Sequence, residues 1–387
     1  MKKIIIILVF LPMLIFFTNN INAQGEAAVP FLLLAPDSRA GGVGESGGGL
    51  ADNSSAIFWN PAGIAFLTGS EASITHSKWL PQFGLDDLFY DYLTYRQYVE
   101  EIDGSITSSI TFMNYGTFIR TGEDSPTALG EFRSFDAALT LGYATKLHSD
   151  WGLGLNFRVI HSRLSDKPTA QEKGEGVSTT ISFDIATMWR PEDLELPLIG
   201  NIGNKFSLGL NLSNVGPKIY YIDQSQADPI PTNFRFGMAF RLMEDDFNSL
   251  TLTTDVSKLL VDRADSASQR DEFYEAIFTS WFDDDFNTEL RDLVTSLGLE
   301  YWYGDEDFKF ALRTGFFYED PSFGNRKFVT IGAGIRYDLY GFDFSYITTD
   351  LFKDGEQHPL SDTLRFTLSI GWGATTPNVG KGFPRGI

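Results

Sequence analysis

Along most of this chain, apolar and polar residues change places at every step. In WGLGLNFRVIHSR, Leu153, Leu155, Phe157 and Val159 alternate with Gly154, Asn156 and Arg158; TNFRFGMAFRL and LRFTLSIGW repeat the pattern around Phe236 and Phe366. A period of two places neighbouring side chains on opposite faces of an extended chain, so these segments are strands with one apolar and one polar face. The same alternation runs through EASITHSKW, SITSSITFMNYGTF, RSFDAALTLGYATK, TISFDIATMWR, FSLGLNLSN, SLTLTTDVS, SLGLEYWYG, FKFALRTGFFYED, FVTIGAGIRYDL and GFDFSYITTD, which gives about thirteen strands in all. Most are of the 9 to 11 residue length that crosses an outer membrane at a tilt, and an even number closes a barrel more readily, so fourteen are expected.

Soluble β-sandwiches also alternate, but their strands are commonly shorter, about 5 to 6 residues. Tyr and Trp gather near strand ends here (Trp151, Trp189, Trp302, Tyr303, Tyr337, Trp372), as in the aromatic girdles of a membrane barrel. The fold expected is therefore an all-β transmembrane antiparallel β-barrel, since closure satisfies every strand edge in lipid. An Arg facing mid-bilayer lipid costs about 2 to 4 kcal/mol, which turns Arg158, Arg235, Arg313, Arg336 and Arg365 toward the lumen. Asp184, Asp255, Glu300, Asp338 and Asp343 share that phase and are available to pair with them. Such charges either line an aqueous path or pack around a plug.

The N-terminus reads MKKIIIILVFLPMLIFF and then TNNINA, a positive start, a short apolar run and a small residue at Ala23: a secretory signal peptide over residues 1–23. No Cys occurs anywhere, which excludes lipoprotein anchoring, disulfides and thiolate chemistry. A net charge of −21 argues against nucleic acid as a partner. Residues 24–67 precede the strands of the barrel region, 68–387. Rich in glycine and punctuated by Pro30, Pro36 and Pro61, they suit an irregular N-terminal plug. Residues 271–296, DEFYEAIFTSWFDDDFNTELRDLVTS, approximate helical spacing and read as an external helical insertion. It either caps the barrel or offers Trp281 and Phe282 to a protein partner.

Chemistry is not evident. GVGESG, Gly42 to Gly47, fits the spacing of a dinucleotide-binding turn, but no buried strand enters it and no helix leaves it, so turns are the better reading. The histidines His76, His148, His161 and His358 lack metal-binding spacing, and Asp283 to Asp285 lack the alternation of a calcium loop. Ser46 in GESGG is not in a nucleophile elbow. Neither a catalytic residue, a cofactor nor a metal is expected.

FLLLAPDSRAGGVGESGGGLADNSSAIFWNPAGIAF, followed by LTTDVSKLLV, LGLEYWYGDEDFKFALRTGFFYED, GNRKFVTIGAGIRY and GFDFSYI, resembles the PorV family of type IX secretion outer-membrane proteins, within the FadL-like barrel superfamily. The motif residues are Pro36, Asp37, Ser38 and Arg39 in the first element and Trp59, Asn60 and Pro61 in the second. The resemblance implies a fourteen-stranded barrel with an N-terminal plug in the outer membrane of a Gram-negative cell. It also implies an adaptor, not an enzyme, that takes secreted cargo with a C-terminal β-sandwich signal domain from the type IX translocon to a cell-surface sortase. Outer-membrane lipid would be its other partner. The alternative within the superfamily is a transporter of hydrophobic solutes.

Overall fold

The computed structural model describes residues 27–121, 127–165, 176–197, 200–262, 271–305, 307–352 and 359–373. The signal peptide expected at residues 1–23 lies outside them. The strands are β1 Ser70–Lys78, β2 Phe89–Val99, β3 Gly104–Thr121, β4 Ala128–His148, β5 Trp151–Arg163, β6 Val177–Trp189, β7 Glu195–Leu196 and β8 Gly200–Asn201. They continue as β9 Phe206–Val215, β10 Asn233–Glu244, β11 Asn248–Leu259, β12 Val294–Gly304, β13 Phe308–Tyr318, β14 Lys327–Tyr337, β15 Tyr340–Thr348 and β16 Leu364–Trp372. All but β7 and β8, a small ribbon of their own, close into one fourteen-stranded barrel. Every pairing is antiparallel, and β1 meets β16 with Ser70 opposite Trp372 and Ile74 opposite Leu368.

The burial pattern is inverted relative to a soluble protein. On β16, Leu368 is 57% exposed while Arg365 and Thr367 on the other face are buried. Outward apolar and inward polar side chains are what a bilayer outside and a packed polar interior select. The expected girdle forms at one end of the wall, where Trp151 stacks on Trp189, Tyr303 lies against Phe310, and Tyr95 against Trp372. At this same end lie the short connections between β2 and β3, β4 and β5, β10 and β11, β12 and β13, and β14 and β15, together with one longer connection between β6 and β9 that carries the β7–β8 ribbon. The strand ends at the other end are joined by mostly longer connections, among them the described stretches 79–88, 216–232 and 271–293. Short turns mark the periplasmic side of such barrels and long loops the exterior.

Two sequence expectations are corrected. Trp302 does not belong to the girdle: it is buried at 3% exposure and faces the lumen, with the Arg313 and Arg336 guanidiniums about 5.1 and 5.2 Å from its ring. Asp338 is not luminal, because it occupies the tight turn between β14 and β15 at φ 51. The fourteenth strand, which alternation alone did not register, is β2, FYDYLTYRQYV.

Residues 27–67 run through the barrel instead of around it. The Ala28 N–H donates to Pro229 O in the long connection 216–232, at 3.0 Å, and the segment leaves the opposite end to enter β1 at Ser70. On the way it forms two short helices, α1 Ser38–Gly42 and α2 Ala56–Trp59, and a 3-10 turn over Pro61–Phe66.

Candidate functional site

The lumen has two unlike halves. Toward β2 to β6 the contact is mainly apolar: Phe31, Ile57, Ile64 and Phe66 of the threading segment pack with Tyr90, Tyr92, Met113 and Ile160 of the wall. Within this half Arg158 on β5 pairs with Asp184 on β6 at 2.7 Å, as the shared phase of the two predicts, and Asn156 donates to Ile57 O at 2.9 Å. Toward β10 to β16 it is ionic and made by backbone approach. The division follows from which residue types the inward phases carry.

The first motif element sits at the ionic half. Pro36 is buried just ahead of α1. Asp37 caps α1, accepting from the Ala40 N–H at 3.0 Å, and also accepts from Trp59 Nε1 at 2.6 Å. The two halves of the motif, 22 positions apart, are thereby joined by one carboxylate. The Ser38 N–H donates to Thr367 Oγ1 on β16 at 3.0 Å. Arg39 donates twice to Glu300 on β12, both at 2.8 Å, and also pairs with Asp52. Glu300 accepts in turn from Arg313 at 2.7 Å, Arg313 reaches Asp343 at 2.8 Å, and Asp343 accepts from Arg336 at 2.7 Å. Six charged side chains, Asp52, Arg39, Glu300, Arg313, Asp343 and Arg336, thus form a continuous chain of opposite charges, the pairing that buried ions require.

The second element locks the other side. Trp59 lies under the Arg235 guanidinium, 4.8 Å from the ring, and Arg235 pairs with Asp255 at 3.2 Å. Asn60 accepts from the Ala62 N–H at 3.0 Å and donates to the carbonyls of Thr187 and Leu210, at 3.1 and 3.3 Å. Pro61 opens the following 3-10 turn, where its missing N–H leaves nothing unpaired. The sequence resemblance singled out these residues, yet it could not show that Asp37 connects them.

The glycines of GVGESGGG meet glycines of the wall. A Cβ on Gly315 would lie 2.0 Å from the Gly44 nitrogen, and one on Gly237 2.5 Å from the Gly49 nitrogen. Gly44 itself takes φ +74. The segment therefore lies directly on the strand backbone, and Gly48 N–H donates to Asp255 at 2.8 Å. Gly42 closes α1, and the residues that follow it turn. Between Phe31, Tyr90, Tyr92 and Arg158 a cavity of about 10 Å³ remains, room for one water.

Outside the barrel, the insertion expected at 271–296 contains α3 Phe273–Thr279 and α4 Phe286–Arg291; its last residues, from Val294, already belong to β12. Trp281 packs edge-on against Phe234 of β10, 5.5 Å between ring centres, and is half-buried. Phe282 is 86% exposed. Among the described residues, carboxylate oxygens of Asp283, Asp284 and Glu289 come within 4.8 Å of one another, but Lys258 already engages Glu289 at 2.7 Å.

The model of the family described as type IX secretion system protein PorV matches residues 18–266. The chain belongs to the PorV family. With the closed barrel, that membership places it in the outer membrane as a component of type IX secretion. No curated protein matches the chain. Among solved structures, the toluene transporter TodX of Pseudomonas putida is 10% identical, with a TM-score of 0.48, over 92% of this chain and 99% of TodX. CdiB from Acinetobacter baumannii is 8% identical, with a TM-score of 0.40, over 79% and 60%. Likenesses this distant transfer no function.

Proposed function

We propose that this PorV-family barrel is an adaptor, not an enzyme, that receives secreted cargo by its C-terminal β-sandwich signal domain. It takes the cargo from the type IX translocon to a cell-surface sortase. The observation that carries this is the family match across residues 18–266. A lumen occupied by the chain's own residues 27–67 supports it, because an adaptor works at its surface and needs no open conduit. In this reading Asp37, Arg39, Trp59 and Asn60 keep the barrel shut and stiff, and Pro36, Ser38 and Pro61 set the path of the plug.

The test is a mild-detergent pull-down of the tagged protein from outer membranes, with mass spectrometry of proteins and lipids. Recovery of secreted proteins sharing a C-terminal β-domain, or of a sortase, is expected. Recovery of fatty acids or similar solutes with no protein partner after cross-linking would sink the adaptor and favour solute transport.

A further inference from the structure

The helical insertion carries apolar surface beyond what the wall itself exposes. Phe278, Phe282 and Phe286 are 72, 86 and 74% exposed, more than Ile74 and Leu368 of the lipid-facing wall at 52 and 57%. Their location follows from what holds the insertion down. Trp281 packs on Phe234, and Lys258 is buried under Glu289 at 2.7 Å and Asp292. Arg235 and Asp255 occupy the luminal phases of β10 and β11, so Phe234 and Lys258 point outward. The insertion is therefore clamped to the outside of the wall, at the long-loop end.

A second connection does the same two strands further round. Phe352, in the turn Asp350–Phe352, lies against Phe316 on β13, 5.7 Å between ring centres. Phe316 is in the outward phase with Leu312, and the neighbouring Leu351 is 74% exposed. Arg291 of α4 bonds Asp320 in the connection after β13 at 3.0 Å, tying the helical pair to this side as well.

We propose that α3, α4 and the Asp350–Phe352 turn form a collar that seats Phe278, Phe282, Phe286 and Leu351 among the acyl chains of the outer leaflet. The occupant is set by position: Trp281 packs on Phe234 and Phe352 on Phe316, both on the lipid-facing side of the wall, so these side chains lie beside the belt already in contact with hydrocarbon. Amphipathic elements of this kind bury one face at the boundary of headgroup and acyl chain. Asp283, Asp284 and Asp285 repel a second copy of the same acidic collar and an anionic headgroup alike, so attachment is through hydrocarbon and does not require lipid charge. Phe282 is then a lipid contact and not a protein contact. The proposal is independent of the cargo reading.

The absence of cysteine makes single-site spin labelling selective. The full chain, as Phe278→Cys, Phe282→Cys or Phe286→Cys, is folded into phosphatidylcholine vesicles, and each nitroxide is tested for collisions with oxygen and with a water-soluble nickel chelate. Leu139→Cys on the lipid-facing wall and Asp223→Cys in an exposed loop are the references. Oxygen-to-nickel ratios several-fold above the Asp223 reference, approaching the Leu139 one, are expected at two or more of the three sites. Ratios matching Asp223 at all three would overturn the proposal. So would labels that stay aqueous in vesicles and become shielded only when a cargo signal domain is added, which would assign the surface to protein. Each variant's folded state is read from its heat-modifiable gel mobility, and three sites keep the test open if one variant fails to insert.

Discussion

Gly315 stands where any side chain would run into the backbone of Gly44, whereas a Cβ on Gly371 would find its nearest neighbour, Ser70 O, at 3.7 Å. Gly315→Val is therefore expected to destabilise the barrel by about 1 to 3 kcal/mol, the usual cost of overpacking, in urea unfolding from detergent, while Gly371→Ala costs little. Glu300 poses the opposite case, a buried carboxylate shared by Arg39 and Arg313. Glu300→Gln leaves two guanidiniums short of charge and is expected to cost about 3 to 5 kcal/mol in the same assay, part of it recovered by adding Arg39→Gln. The inward phase of the strand arginines was legible in the sequence, because only that phase spares them lipid. Their partners were not: Arg39 and Glu300 are 261 positions apart, and no local pattern encodes that meeting. Trp302 misled because an indole near a strand end looks the same whether it faces headgroups or guanidiniums. Asp338 misled because the alternation was counted one residue past the end of β14.

Thirteen strands announced themselves by alternation, and the one that did not explains the limit of that signal. On β2 the inward residues Tyr90 and Tyr92 are as aromatic as the outward Phe89 and Tyr95, since they face the apolar half of the lumen. A strand with apolar neighbours on both faces loses its period. The helical insertion was legible as helix, but its clamp on the wall, through Trp281 and Lys258, depends on strands distant in sequence. One of its groups gives the element a pH response. Desolvation at the helical pair, reinforced by the Glu289 carboxylate, pushes Asp283 up to about 6. An acid raised in the folded state favours the fold while protonated, so that contribution is whole below its ordinary value near 3.8 and is lost as pH rises through about 6. Amide exchange in α3 and α4, corrected for intrinsic rate, is expected to be faster at pH 7.5 than at pH 5. Asp283→Asn should flatten the difference.

At the scale of the whole molecule, a closed wall and an occupied lumen make a barrel that separates two compartments without joining them. In a planar bilayer the protein is expected to carry no steady ionic current. A variant with both Gly237→Trp and Gly315→Trp, which cannot seat the glycine run against the wall, should show open-channel current if it still inserts. A silent but correctly folded double variant would mean that the segment is held by its apolar half alone. The route of that segment also bears on assembly. Residues 27–67 are enclosed by strands made after them, and the ring is completed only when β1 finds β16, almost three hundred positions along the chain. Contacts so distant in sequence form late. The seam between the first and last strands must therefore stay unzipped until the leading residues are laid in place. A chain that zipped too early would be left with an empty pore, and with residues 27–67 stranded outside it.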